Sequence, residues 1–167
     1  MTLLLMILNA ILFNLCWFGL IFWGNAFIPV VALWLIWHIR QCDKPKDELQ
    51  LIFQVTVIGL IIDSSLMHAG VFDFGQEQLI IPPWLVVLWA AFAATLNHSI
   101  TLVCKSVTVS RCIGAFVVPM SYIAGERLNA VDFSYSYITT IATISIVWLL
   151  LLPYLISLTK RENVGYA

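Results

Sequence analysis

Asp63, His98 and Glu126 are ionisable side chains set within long apolar runs. A charge there is costly, so each marks either a buried hydrogen bond or a function. Asp63 lies about seven residues, hence about 10 Å, from the outer end of its run. At that depth a carboxylate needs a partner or a proton. Thr56, Gly59, Asp63 and Gly70 share one helical face, a small and polar seam suited to an interior position. His98 belongs to LWAAFAATLNHSITLV. Ala90, Ala93, Ala94 and Asn97 form a face there that permits close helix approach. The chemistry open to Asn97 and His98 is a proton relay, a headgroup contact or an interhelical hydrogen bond, the last worth about 0.6 kcal/mol. His98 sits about 21 Å below Trp84, so it differs from Asp63 by about 11 Å in depth and direct pairing is not expected. Pro119, Tyr122 and Glu126 align at i, i+3 and i+7. Proline frees a carbonyl and can bend the helix. Asp63, Asn97, His98, Tyr122 and Glu126 are therefore the candidates for one polar cavity. Asn14, His68 and Arg127 are secondary candidates. Asn14, like Asn9, reads as amide glue. His68 reads as a solvated or capping residue within reach of Ser64. Glu126 and Arg127 are adjacent and point apart, yet their depth permits an outer cluster with Asp63.

Catalytic signatures are missing. The sequence has no H-E-x-x-H, G-x-S-x-G, P-loop or dinucleotide fingerprint. Cys16, Cys42, Cys104 and Cys112 contain no C-x-x-C pair, so free thiols are expected and neither a metal nor a cofactor is. A net charge of −1 gives no basic face for nucleic acid.

These residues are positioned by apolar helices. Of 167 residues, 62% are hydrophobic and only 10% charged, with a mean hydropathy of +0.98. Soluble domains carry about 25% charged residues, so most of this surface must face lipid. A crossing helix needs about 20 apolar residues. The runs predict an all-α polytopic bundle, a single transmembrane domain with about six spans over 3–23, 26–40, 49–69, 84–103, 112–128 and 137–158. The second is the shortest, with Pro29 in a tolerated first turn. Arg40 to Glu48, Val71 to Pro83, Cys104 to Arg111 and Asn129 to Ser136 read as loops. Six spans put Arg40, Lys44, Lys46, Lys105, Arg111, Lys160 and Arg161 on one side and Arg127 alone on the other. Basic short loops stay inside, so both termini are expected in the cytoplasm. Asp73, Glu77 and Asp132 fall outside. Trp23, Trp84 and Tyr135 mark outer span ends and Trp37 an inner one. Trp89 and Trp148 sit deeper, as packing residues. No basic n-region precedes the first run, so it reads as a retained helix.

Leu88-Trp89 through Thr95-Leu96-Asn97-His98-Ser99, then Pro119-x-Ser121-Tyr122-x-Ala124-Gly125 and Leu128-x-Ala130, with Gly59-x-x-x-Asp63 upstream, resembles a family of small bacterial inner-membrane proteins, domain of unknown function family 2878. The likeness covers nearly the whole chain. Val118 and Asn129 stand where the family pattern has glycine. The resemblance implies an inner-membrane location and genes that neighbour those of lipid-modifying enzymes. It supplies no catalytic residue.

Three functions compete. The first is an accessory membrane protein binding lipid or another hydrophobic molecule. The second is a small proton-coupled transporter using Asp63 or His98. The third is a membrane-embedded lipid-modifying enzyme. Expected partners are membrane lipid and a second copy or another membrane protein.

Overall fold

The computed structural model describes residues 3–75 and 78–164, with residues 160–164 as backbone alone. Glu77 and the side chains of Lys160 and Arg161 lie outside the described residues. Helix α1 spans Leu3–Trp23 and α2 Ile28–Gln41, joined by a 3-10 turn over Gly24–Phe27. Gly24 sits at φ +52°, a left-handed conformation that glycine adopts freely, and Pro29 lies in the first turn of α2. Helix α3 is Pro45–His68, α4 is Pro83–Leu96 and α5 is Ser99–Val103. Helix α6 is Val107–Cys112, followed by a π turn over Ile113–Val117 and then α7, Val118–Arg127. Helix α8 is Tyr137–Val164.

Among the described residues, four helical stretches are long and apolar enough to cross a membrane: Leu3–Gln41, Pro45–His68, Val107–Arg127 and Tyr137–Thr159. The 39-residue first stretch does not run straight. At its turn, Asn25 Oδ1 accepts from the Trp84 backbone N–H (3.1 Å), at the start of α4. Near its beginning, Asn9 Nδ2 donates to the Ala94 carbonyl (3.1 Å) and Asn9 Oδ1 accepts from Ser99 (2.8 Å). Near its end, the His38 ring lies 4.7 Å from that of His98. Helix α1 therefore runs antiparallel to α4 and α2 returns parallel to it, so the two form a hairpin beside α4 and α5.

Helix α4 is the inner element, with Trp89, Ala91, Ala93, Ala94 and Leu96 buried. The alanines let neighbouring backbones approach. Outward, Leu4, Leu33, Phe53, Phe116 and Ile138 are among many large apolar side chains left exposed. A surface of that kind suits lipid contact.

Three features depart from the run-by-run reading. The continuous fourth run breaks at Asn97-His98, because both side chains are drawn towards Glu48, and Thr101 Oγ1 donates back to the His98 carbonyl (2.6 Å). Helix α3 starts at Pro45, so Glu48 belongs to its first turns rather than to a loop. The loops at the end opposite Arg40 and Lys105 carry a two-residue antiparallel ladder, Phe72–Asp73 (β1) with Asp132–Phe133 (β2). Pro119, which lacks an N–H, is the second residue of α7, two positions after the π turn, where a helix start tolerates it. Asn129 sits at φ +59°, a left-handed conformation. The Asn129 and Ala130 N–H groups donate to the Glu126 and Gly125 carbonyls (both 2.9 Å), so the tight helix end forms with asparagine, the residue that best tolerates it.

Candidate functional site

The five candidate cavity residues occupy three places. Asp63 and Tyr122 come together in one, Asn97 and His98 in a second, and Glu126 in a third.

Asp63 is fully buried, facing the bundle. Its Oδ2 accepts from Trp89 Nε1 (2.7 Å) and its Oδ1 from the Tyr122 hydroxyl (3.2 Å). The Tyr122 oxygen in turn accepts from Trp148 Nε1 (3.2 Å). The partners are neutral donors on α4, α7 and α8. The indoles of Trp89 and Trp148 stack, with centroids 5.4 Å apart and planes 3° from parallel. Phe92 meets both edge-on, and Phe72 stacks on Tyr122 at 5.4 Å. Gly59, one turn before Asp63, makes this possible: a Cβ there would overlap the Trp89 indole. These rings border a cavity of about 360 Å³, lined also by Phe13, Asn14, Trp17 and Ser121. Half of its twenty lining residues are aromatic, so a flat or chain-like apolar occupant finds ring faces on several sides. Trp89 and Trp148 are thus donors that shape a site as well as packing residues. Their Nε1 groups were the signal, since a deeply buried indole needs an acceptor.

The second centre lies at the end that carries Arg40, Lys44 and Lys105. Glu48 Oε1 accepts from both His38 Nε2 (2.9 Å) and His98 Nε2 (3.1 Å), while Oε2 accepts from Asn97 Nδ2 (2.9 Å). Glu48 and His38 are buried. Cys42 Sγ stands 3.8 Å from His38 Nε2 and 3.9 Å from His98 Nε2, and donates to the His38 carbonyl (3.3 Å). Burial, with Glu48 and Asp43 beside it, pushes the Cys42 thiol up to about 11, so it is no ready nucleophile. Sequence reasoning missed Glu48 and His38, and placed Cys42 beside a loop without partners. The available signal was His38 and Cys42 at i, i+4 with Glu48 six residues on. From Glu48 to Asp63 along α3 is about 22 Å, at 1.5 Å per residue, so the two centres do not touch.

Glu126 and Arg127 remain at the opposite end. The Tyr137 hydroxyl donates to Glu126 Oε2 (2.7 Å) and accepts from Arg127 Nε (3.3 Å). The adjacent pair therefore converges through a third residue, with Arg127 Nε 3.7 Å from Glu126 Oε2, and the expected cluster with Asp63 does not form. His68 Nε2 donates to the Leu79 carbonyl (2.9 Å), while Ser64 Oγ accepts instead from the Ile81 N–H (3.2 Å). Both fasten the loop before α4. Asn14 Nδ2 donates to its own helix at Ala10 (2.8 Å) on the cavity wall.

The sequence matches the family described as Protein of unknown function (DUF2878) over residues 6–154. No curated protein and no solved structure matches it.

Proposed function

The chain therefore belongs to the DUF2878 family, and on that premise we propose that it is a bacterial inner-membrane protein whose aromatic cavity binds a hydrophobic molecule bearing one hydrogen-bonding group. The cavity bordered by Asp63, Tyr122, Trp89 and Trp148 carries this reading. Its volume is at the lower end of the range for ligand sites. It suits a ring system or a segment of an acyl or isoprenoid chain rather than a whole phospholipid. Asp63 and Tyr122 supply the polar contact at its wall. The separation of Asp63 from His98 favours binding over a transporter or enzyme that needs both in one place.

Ser121 is exposed on the cavity lining. Ser121→Trp fills the space, whereas Ser121→Ala leaves it open. Mass spectrometry of apolar molecules that co-purify with the full chain in mild detergent should show a specific species with wild type and Ser121→Ala. Ser121→Trp should reduce it at least tenfold. Equal retention by all three would remove the cavity from consideration.

The same proposal includes six crossings with both termini in the cytoplasm. The α1–α2 hairpin supplies two crossings within Leu3–Gln41, and α4 extended by α5 supplies another. Arg40, Lys44, Lys46, Lys105 and Arg111 then share one end and Arg127 takes the other. A phosphatase fused after Ala167 should be inactive in cells, and a fluorescent protein at the same point should be bright. The reverse pattern would exclude this topology.

A further inference from the structure

We propose that His38, Cys42, Glu48 and His98 form a binding site for a zinc-class divalent ion that ties the ends of α2 and α3 to the break between α4 and α5. One ligand atom from each residue lies within 4.8 Å of the other three. A tetrahedral ion with ligands at ~2.0–2.3 Å holds those ligands ~3.3–3.8 Å apart. The two Sγ to Nε2 separations, 3.8 and 3.9 Å, lie at the upper edge of that range and need to close by a few tenths of an ångström at most. The Nε2 to Oε1 separations of 2.9 and 3.1 Å need to widen by only a few tenths of an ångström.

Each ligand is held by its own support. His38 and Cys42 are one turn apart on α2 and its C-terminal cap. Glu48 is oriented by Asn97 Nδ2 at 2.9 Å on the oxygen that the histidines leave free. This is the outer-shell contact that fixes a carboxylate ligand and, when lost, costs about 10–100-fold in affinity. His98 projects from the helix break, and its ring stands at 90° to that of His38, so both Nε2 atoms meet the same Oε1 without ring overlap. Two imidazole nitrogens, a carboxylate oxygen and a sulfur make a borderline donor set that suits Zn2+, with Co2+ as its spectroscopic substitute. Four protein ligands leave no open position, so the ion is structural. The site is distinct from the aromatic cavity, about 22 Å along α3.

The test uses the full chain in detergent, stripped by a chelator and titrated with Co2+. One Co2+ per chain is expected, with the visible absorption of a tetrahedral site and a thiolate-to-cobalt charge-transfer band. Cys42→Ser should abolish that band and weaken binding at least tenfold. Asn97→Ala, which touches the carboxylate alone, should weaken binding about 10–100-fold while retaining the band. Cys112→Ser, at an exposed thiol, should match wild type. A wild-type arm needs no substitution: Cys42, with its raised thiol, labels slowly with maleimide, and Zn2+ should slow that rate further while leaving the rate at Cys112 unchanged. The proposal is overturned if wild type takes up less than about a tenth of an equivalent, if the charge-transfer band survives Cys42→Ser, or if Zn2+ leaves Cys42 equally reactive. The four residues would then be a hydrogen-bond network alone.

Discussion

Replacing Glu48 by leucine should cost the fold about 3–5 kcal/mol, the range for removing one partner from a buried, hydrogen-bonded carboxylate cluster. Glu48 accepts from His38 Nε2, His98 Nε2 and Asn97 Nδ2 in a buried position. An unsatisfied buried donor costs about 1–3 kcal/mol. Three such donors would cost about 3–9 kcal/mol if none relaxed, a span that starts at the stated range and runs beyond it. His98 and Asn97 can turn partly towards water at this helix end, so the lower total is expected. Glu48→Gln retains one carbonyl oxygen and should lose roughly half as much. Asp47→Ala tests the neighbouring carboxylate, whose contact with Lys44 Nζ at 4.0 Å is exposed. It should change stability by no more than about 0.5 kcal/mol. Thermal unfolding in detergent, with abundance in membranes beside it, should rank wild type and Asp47→Ala above Glu48→Gln, and that above Glu48→Leu. Glu48→Leu unfolding together with wild type would show that the cluster holds nothing together.

The difference between Asp63 and Glu48 shows which part of the molecule is legible in sequence. Asp63 interrupts an apolar run, and the cost of a carboxylate in hydrocarbon predicts an interior orientation, which the structure has. Glu48 ends the most charged stretch of the chain, Arg40 to Glu48, where solvent is the natural expectation. Its burial depends on three tertiary facts: α3 begins at Pro45, α2 returns His38 to the same end, and α4 breaks at Asn97-His98. No periodicity encodes them together. The depth difference between Asp63 and His98, by contrast, follows from helical rise alone and separates them in the fold as expected. The indoles fall between these cases. Depth identifies Trp89 and Trp148 as interior residues, but only their orientation reveals donors to Asp63 and Tyr122. Asn129 is legible in another way. It holds a left-handed turn, a conformation that asparagine tolerates better than most residues with a side chain.

Gly59→Ala should destabilise the bundle by roughly 2–4 kcal/mol, against the usual sign for that change within a helix. Gly to Ala in a helix interior ordinarily gains about 0.5–1 kcal/mol. Here a Cβ would overlap the Trp89 indole. Overpacking a tight site costs about 1–3 kcal/mol. If the indole moves away, its 2.7 Å hydrogen bond to Asp63 Oδ2 is lost, and an unpaired buried acceptor adds about 1–3 kcal/mol. The two costs outweigh the propensity gain. Trp89→Phe separates them. The smaller ring vacates much of the space that the alanine methyl needs, while removing the indole donor outright. In the Trp89→Phe background, Gly59→Ala should therefore cost less than about 1 kcal/mol, giving a coupling within the 0.5–3 kcal/mol seen for contacting residues. The stacked Trp89–Trp148 pair, with planes 3° apart, supplies a second readout. Its near-ultraviolet circular dichroism should collapse in Gly59→Ala and in Trp89→Phe alike, while far-ultraviolet helix signal persists. Equal cost of Gly59→Ala in both backgrounds would mean that Gly59 does not make room for the indole, and that Asp63 holds Trp89 without its help.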